Sequence, residues 1–306
     1  MVATLNRELL ADALAGLRQT PPSLPCKWFY DERGSRLFDA ICHLPEYYPT
    51  RTELAITRRA APDIAARLGR DLALIEFGSG SSLKTRILLE NLDVKTYVPL
   101  DISREHLLQS AAQLEREFPV LAVCPVAADY TADFDLPPLD GQTRVVYFPG
   151  STIGNFEPPE AVDFLKRAAH LGEWLLIGVD LRKDADILRA AYNDAQGVTA
   201  QFNLNLLERL NREAGADFDE ENWRHQAVWD DEKSRIEMRL ISRRAQTVGI
   251  GETVFRFERD NYIVTEHSHK YSIDGFERLA GRAGWQIETV WTDEKSWFSL
   301  QLARAL

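Results

Sequence analysis

The chain has 306 residues, of which 45% are hydrophobic and 27% are charged, and its formal net charge is -11. This length allows one large domain or two modest ones, and the composition is ordinary for a soluble globular protein. A surface with that charge repels nucleic acid phosphates, which argues against DNA or RNA as the main partner.

The cysteines and the N-terminus indicate the compartment. Cys26, Cys42 and Cys124 are widely spaced and form no CxxC pair, which argues against a disulfide framework. The first residues, MVATLNRELLADALAGL, have the pattern of an amphipathic helix and lack the basic start of a signal peptide. No uncharged run approaches the roughly 18 apolar residues that a membrane span needs. We therefore expect a cytoplasmic protein.

Helix-like stretches fill residues 1–60 and are broken by the proline-containing segments QTPPSLPC and LPEYYPTR. From about 60 to 180, short apolar runs alternate with amphipathic helical stretches such as 83–92 and 159–171. The runs that predict strands are 72–77, 96–100, 120–126, 144–148 and 174–179. Short apolar strands alternating with helices predict a parallel, doubly wound sheet.

Residues 186–260 depart from this alternation. The segment DILRAAYNDAQGVTAQFNLNLLERLNREAG has a helical period, and RIEMRLISRR and TVFRFERD are predicted to be strands that face solvent on one side. A helix at 276–283 and strands at 285–290 and 297–302 follow. Two closing strands without a helix between them predict an antiparallel hairpin at the sheet edge. Such an ending is typical of S-adenosylmethionine methyltransferases, whereas a dinucleotide dehydrogenase would normally end on another parallel βαβ unit.

A small-residue loop after the first predicted strand is a candidate cofactor site. Gly78 opens the segment GSGSS, which lets the backbone approach a ligand, and the next predicted strand ends at Asp101, at the spacing of a ribose-binding carboxylate. Asp129 and Tyr130 follow the third predicted strand and could flank an adenine. Leu83 stands where a dinucleotide fingerprint has its third glycine, which favours a nucleoside without a pyrophosphate.

The fourth predicted strand runs into the loop FPGSTIGNF, where Asn155 offers an amide donor. A turn residue beside Gly154 is the plainer interpretation of that asparagine.

Six blocks of sequence resemble one family, the ergothioneine-pathway histidine Nα-methyltransferases, from about Lys27 to the C-terminus. They are, in order, FYDERGSRLFDAICHLPEYYPTRTE, EFGSGSSLKT, YVPLDIS, FPGSTIGNF, AAYNDAQGVTAQFN and TEHSHKYS. The resemblance implies S-adenosyl-L-methionine as cofactor and trimethylation of the α-amino group of L-histidine to hercynine, the first step of ergothioneine biosynthesis.

The fold implied is α/β, with a Rossmann-like class I S-adenosylmethionine methyltransferase sheet and an α+β substrate-binding subdomain. We place the methyltransferase (cofactor-binding) domain at 60–185 plus 272–306, and the substrate-binding domain at 1–59 plus 186–271. We expect a monomer whose partner is the small molecule L-histidine, with no nucleic acid and no membrane.

The resemblance also implies roles for individual residues. The cofactor-binding residues it implies are Gly78, Lys84, Asp101, Asp129 and Tyr130. The substrate-binding residues are Tyr47, Asn155, Tyr192, Met238, Glu266 and Ser268. Within this set, Asn155 and Tyr192 bind the substrate carboxylate. Glu266 and Ser268 hold the imidazole, and Met238 packs near the ring.

Tyr30 and Tyr47 line the methyl-transfer site in this resemblance, and we name them as catalytic. Direct displacement at a sulfonium depends mainly on positioning, and the substrate amine must be neutral, a form that burial favours. A trimethylated product is a quaternary ammonium, which tyrosine faces attract by about 0.5–2 kcal/mol each. Simple packing beside prolines is the alternative interpretation of Tyr47, and the route of the amine proton stays open between water, Tyr30 and Tyr47.

His267, between Glu266 and Ser268, departs from the family pattern, which has a smaller or apolar residue there, and His269 follows two residues later. On a strand, the two histidines share the face opposite Glu266 and Ser268 and so point away from the pocket. A His-x-His metal site is the alternative, but spacing places no third ligand, and we predict no metal.

Three other functions compete with this interpretation. A methyltransferase of the same fold could act on another free amino acid or small amine, but Glu266, Ser268 and Met238 argue against tryptophan. A nucleotide-binding oxidoreductase is disfavoured by the missing third glycine and by the terminal hairpin. A catalytically silent binding module is disfavoured because every matched functional position is filled.

Overall fold

The computed structural model describes residues 5–79, 83–129 and 134–306, and the chain divides into two compact units. The α+β unit comprises Met1–Tyr48 and Lys183–His269, and the sheet unit comprises Pro49–Arg182 and Lys270–Leu306. The boundary that the sequence places at 59/60 falls inside the helix Tyr48–Leu68. Ile56, Ile64 and Leu68 of that helix pack in the core of the sheet unit, which explains the earlier boundary.

Helices and strands alternate along most of the described chain. The α-helices are α1 (Arg7–Leu17), α2 (Glu32–Cys42), α3 (Tyr48–Leu68), α4 (Leu83–Asn91), α5 (Arg104–Glu117), α6 (Pro158–Leu171), α7 (Ala185–Ala191), α8 (Val198–Ala214) and α9 (Ile273–Arg282). The strands are β1 (Leu72–Phe77), β2 (Val94–Asp101), β3 (Ala122–Val123), β4 (Val126–Ala127), β5 (Thr143–Phe148), β6 (Trp174–Asp180), β7 (Trp223–Asp230), β8 (Arg235–Ser242), β9 (Gln246–Ile250), β10 (Thr253–Phe257), β11 (Tyr262–His269), β12 (Trp285–Thr292) and β13 (Phe298–Ala305). Short 3-10 helices cover Cys26–Phe29, Thr152–Asn155 and Glu220–Asn222.

The sheet unit is built on a mostly parallel sheet with the order β12-β13-β6-β5-β1-β2-β3, and β4 also pairs with β2. Strand β1 has the bounds predicted from the sequence, and all of its residues are buried. A strand buried on both faces needs a continuous apolar run, which is why LALIEF does not alternate. Strands β12 and β13 form the predicted antiparallel hairpin, and β13 pairs antiparallel with β6. The α/β fold class is therefore confirmed.

The chain leaves the sheet unit after β6 and returns before α9 at neighbouring points. Leu181 and Tyr271 form a parallel bridge, and the Arg182 N–H donates to the Tyr271 carbonyl at 2.9 Å. Residues 183–269 are thus inserted into the sheet unit between two hydrogen-bonded positions.

The α+β unit contains an antiparallel sheet with the order β11-β8-β7 and a hairpin of β9 and β10. Helix α8 contacts α1, α2, β7 and β8. At its N-terminus, the Asp194 carboxylate accepts hydrogen bonds from the N–H groups of Val198 and Thr199 at 3.0 and 2.8 Å. These bonds satisfy donors that a helix leaves open at its first turn.

Three predicted elements differ from the structure. The strand predicted at 120–126 is split into β3 and β4, because Pro125 between them has no N–H for a ladder. The helical period at 186–215 is broken between α7 and α8, where Gly197 has a φ of 73°. Strand β8 does not face solvent on one side. It is central in its sheet, and its buried Arg235 and Glu237 side chains pair at 3.1 Å. Among the described residues, no helix has the length and apolar content to cross a membrane.

Candidate active site

Gly78, Asp101 and Asp129, three of the cofactor residues predicted from the sequence, lie at the carboxyl edge of the parallel sheet. Phe77, the last residue of β1, pairs with Leu100 of β2, and the Gly78 N–H donates to the Leu100 carbonyl at 2.9 Å. Gly78 and Asp101 therefore lie side by side where the two strands end. Ligands of open parallel sheets bind at this edge.

Gly78 has a φ of 69°, and a Cβ added to it would meet no atom of the described residues within 4 Å. This backbone conformation favours glycine and leaves open space beside the peptide. The Asp101 carboxylate accepts the Ser103 N–H at 2.8 Å, and the Asp101 carbonyl accepts the Ala128 N–H at 3.2 Å. That bond places Asp129 at the same edge. Tyr130 lies outside the described residues.

Lys84, in the first turn of α4, is anchored by a residue that sequence reasoning missed. Its ammonium donates to the carboxylate of Glu53 in α3 at 2.6 Å. The Glu53 side chain is fully buried, whereas that of Lys84 is 19% exposed. Glu53 stands in the PTRTE segment quoted above, but its separation from Lys84 along the chain hides the pairing.

Glu76 is buried near the end of β1. It accepts hydrogen bonds from the hydroxyls of Thr85, at 2.6 Å, and Tyr97. Burial raises the pKa of Glu76 to about 7, against the lowering effect of those two bonds. The open backbone at Gly78, the Asp101 carboxylate and the Lys84 ammonium together fit a nucleoside that also carries a carboxylate.

Asn155 ends the 3-10 helix that follows β5 in the sheet unit. Ser151 precedes this helix with a φ of 58°, and its hydroxyl accepts the Asp180 N–H at 2.8 Å. The Asp180 carboxylate in turn pairs with Lys270 at 2.8 Å, with both side chains buried. The loop carrying Asn155 is thus fixed to the carboxyl end of β6.

The α+β unit brings together four of the predicted substrate residues. Glu266 of β11 lies opposite Met238 of β8 in an antiparallel register, so their side chains share one face. Ser268, two residues along β11, lies on the same face. Its hydroxyl forms a hydrogen bond of 2.7 Å with the hydroxyl of Tyr192, which directly follows α7.

Aromatic rings continue from Tyr192 through this unit. The ring centroids of Tyr192 and Tyr47 are 6.2 Å apart, those of Tyr47 and Phe38 are 6.2 Å apart, and those of Phe38 and Tyr30 are 5.5 Å apart. All three contacts are edge-to-face, a favourable arrangement for aromatic pairs. The two tyrosines named as catalytic therefore belong to one aromatic cluster with Tyr192.

Burial raises the pKa of Tyr47 well above its usual value, and the neighbouring Tyr192, Cys42, Tyr30 and Glu266 add to the rise. Tyr47 is therefore a neutral phenol at neutral pH, which makes it a hydrogen-bond donor rather than a proton acceptor.

Two further residues that sequence reasoning missed hold Tyr192 in place. The Nε2 of His225 contacts the Tyr192 carbonyl at 2.8 Å, and its Nδ1 accepts from the Asn203 amide at 2.8 Å. The Asn203 amide also donates to the Arg239 carbonyl at 3.1 Å. Burial lowers the pKa of His225, which keeps the imidazole neutral with Nε2 as its donor.

Comparison with known proteins decides the family. A family described as histidine-specific, S-adenosylmethionine-dependent methyltransferases matches residues 9–305. The chain belongs to this family. The histidine N-alpha-methyltransferase of Mycolicibacterium smegmatis is 41% identical over 304 residues, covering 96% of this chain and 94% of that protein. Ergothioneine biosynthesis protein 1 of Neurospora crassa is 34% identical over 285 residues, covering 89% of this chain and 32% of that protein.

Among solved structures, the CcbJ methyltransferase of Streptomyces caelestis aligns with a TM-score of 0.47 at 16% identity, covering 81% of this chain and 89% of that chain. Membership of the matched family makes the chain an S-adenosylmethionine-dependent methyltransferase.

In this histidine-specific methyltransferase, His267 lies directly opposite Glu237 on the neighbouring strand β8, and His269 lies opposite Arg235. His267 Nε2 is 3.4 Å from the Glu237 carboxylate, and the two histidine rings are 6.3 Å apart. Burial alone would raise the pKa of Glu237, but the nearby His267 and the hydrogen bond from Arg239 lower it to about 2. Within the described ranges, no three His, Cys, Asp or Glu side chains are arranged to hold a metal ion.

Proposed function

We propose that this enzyme transfers three methyl groups to the α-amino nitrogen of L-histidine and so produces hercynine for ergothioneine biosynthesis. S-adenosylmethionine supplies the methyl groups from its sulfonium. The observation that carries the proposal is the cluster of Glu266, Ser268, Met238 and Tyr192 in the α+β unit, which combines an acid, two hydroxyls and an apolar surface suited to an imidazole.

In this proposal Glu266 accepts an imidazole N–H, Ser268 serves the second ring nitrogen, and Met238 packs against the ring. A site that hydrogen-bonds a polar ring rejects analogues that lack it, because its own polar groups would then be left unpaired. This requirement supports histidine over amino acids with purely apolar side chains.

The substrate amine must lose its proton before it can accept a methyl group. Burial of the substrate amine in the site would favour its neutral form. Tyr47, as a neutral phenol, can donate a hydrogen bond but does not take the proton at neutral pH. The rings of Tyr30 and Tyr47 supply faces for the developing quaternary ammonium.

The carboxylate of histidine is assigned to Tyr192 and Asn155, and the cofactor to Gly78, Lys84, Asp101, Asp129 and Tyr130. The division of labour between a cofactor-binding unit and a substrate-binding unit is part of the same proposal. We further propose that the enzyme acts in the cytoplasm as a monomer without nucleic acid or membrane partners. Its net charge of -11 supports weak affinity for phosphate polymers.

The test is to incubate the purified protein with S-adenosylmethionine and a mixture of the common free amino acids, and then to measure masses. We expect histidine alone to gain three methyl groups. A reaction without enzyme and one with Glu266→Ala are the controls. Methylation of a different amino acid or a small amine in place of histidine would contradict the proposal and would direct attention to Glu266 and Met238.

A further inference from the structure

Glu53 occupies an unusual position for a carboxylate. It lies in α3, is fully buried, and accepts two kinds of hydrogen bond. The Lys84 ammonium donates to Oε2 at 2.6 Å, and the Gly150 N–H lies 3.0 Å from Oε1 and 2.9 Å from Oε2. One buried side chain thus joins α4 to the loop after β5.

Gly178, in the middle of β6, makes room for this carboxylate. A Cβ added to Gly178 would lie 2.0 Å from Oε1 and 2.9 Å from Cδ of Glu53. The Glu53 head group therefore rests directly on the strand backbone. A residue larger than glycine at this position would displace it.

Lys84 and Gly150 also lie close to each other. A Cβ added to Gly150, whose φ is 78°, would be 3.5 Å from the Lys84 Nζ. An ammonium has three donors, and one of those on Lys84 goes to Glu53. Because a buried carboxylate without partners is costly, Glu53 holds both groups in a single arrangement.

We propose that Glu53 is a positioning residue for the cofactor. It fixes the Lys84 ammonium so that its remaining donors take the carboxylate of the cofactor's amino acid part, the one anionic group that S-adenosylmethionine carries. It also fixes the Gly150 peptide at the carboxyl edge of β5. The inference rests on the proposed cofactor role of Lys84.

The test compares binding of two nucleosides by calorimetry, without histidine. S-adenosylhomocysteine carries the amino acid carboxylate, and 5′-methylthioadenosine lacks it but keeps the adenosine and the thioether. We expect Glu53→Gln, which is isosteric and uncharged, to weaken S-adenosylhomocysteine binding by about 10–100-fold, the range for hydrogen bonds to charged groups. Binding of 5′-methylthioadenosine should change by less than about threefold.

Gly178→Ala provides a second variant that removes no charged group. It should shift Glu53 and reproduce the same selective loss. Gly281→Ala is the matched control, because a Cβ there meets nothing within 4 Å. It should bind both nucleosides like the unaltered enzyme.

Thermal unfolding reports whether each variant is folded. If Gly178→Ala does not fold, the binding data for Glu53→Gln are sufficient to test the proposal. Equal losses of affinity for both nucleosides in folded Glu53→Gln would show that Glu53 has only a structural role and would overturn the proposal. Unchanged S-adenosylhomocysteine binding would overturn it as well. Since histidine is absent from the assay, these outcomes are independent of whether histidine is the substrate.

Discussion

The hydroxyl groups of Tyr192 and Ser268 share one hydrogen bond of 2.7 Å, and one of the two hydroxyls contributes its single proton to it. A serine that donates to a neutral imidazole nitrogen must accept the shared bond from Tyr192. A tyrosine that donates to a carboxylate must accept the shared bond from Ser268. The two substrate contacts assigned to these residues are therefore coupled.

This coupling predicts non-additive substitutions. Tyr192→Phe and Ser268→Ala should each weaken histidine binding by about 10-fold or more, since each breaks the shared bond and leaves its partner misplaced. The double variant should lose less than the sum, with a coupling energy of about 0.5–3 kcal/mol. Histidine titrations of the four proteins, saturated with S-adenosylhomocysteine, measure this energy. Additive losses of histidine affinity would show that the two hydroxyls act independently.

Glu266→Ala should lose histidine affinity by about 10–100-fold, because a hydrogen bond to a charged group is removed. Affinity for S-adenosylhomocysteine should not change. The matched control is Glu252→Ala, which removes an exposed glutamate from the turn between β9 and β10. Parallel calorimetric titrations with the two ligands check the prediction, and an equal loss of both affinities would refute it.

Tyr47 is expected to act through its ring in the last methylation. Tyr47→Phe keeps an aromatic face, whereas Tyr47→Leu removes an attraction of about 0.5–2 kcal/mol for the developing cation. Tyr47→Leu should therefore accumulate partly methylated histidine, and Tyr47→Phe should do so much less. Mass spectra taken during the reaction distinguish the products. Similar product ratios from both variants would show that the Tyr47 ring does not stabilise the developing cation.

Glu76 should make stability depend on pH. Its pKa is about 7 in the folded protein and 4.5 in the unfolded reference, so the folded state holds a proton more tightly. The resulting stabilisation is complete below pH 4.5 and is lost as the pH rises to 7, at about 1.4 kcal/mol per pH unit. Glu76→Gln has no such dependence. Its free energy of unfolding relative to the unaltered protein should therefore rise from pH 5 to pH 8, by up to about 3 kcal/mol.

Urea unfolding at the two pH values measures that difference. Glu90→Gln in α4 is the control, because Glu90 is exposed whereas Glu76 of β1 is buried. A constant difference between Glu76→Gln and the unaltered protein across this range would show that Glu76 does not titrate there.

Elements with a simple pattern could be predicted from the sequence, and elements stabilised by distant partners could not. LALIEF and the closing hairpin carry local signals, and both were found as expected. Strand β8 carries Arg235 and Glu237 and was expected to face solvent on one side. The structure buries both charges because they pair with each other, a fact that alternation along one strand cannot reveal.

The candidate site divides in the same way. The positions of Gly78 and Asp101 could be predicted because they stand at the ends of adjacent strands in a sheet of known type. Glu53 and His225 could not, because their partners are distant in the chain and nothing near either residue marks it. His225 lies within an ordinary alternating strand, and its relation to Tyr192 exists only after folding.

Residues 183–269 are inserted where Arg182 and Tyr271 are hydrogen-bonded, and this chain order has a consequence for synthesis on the ribosome. Because residues 183–269 are inserted there, α1 and α2 emerge first, but α8, which they contact, is translated only after β1 to β6. The nascent α+β unit must therefore keep its first segment available while the parallel strands assemble. The last strands of the sheet, β12 and β13, follow only after every element of the α+β unit has been made.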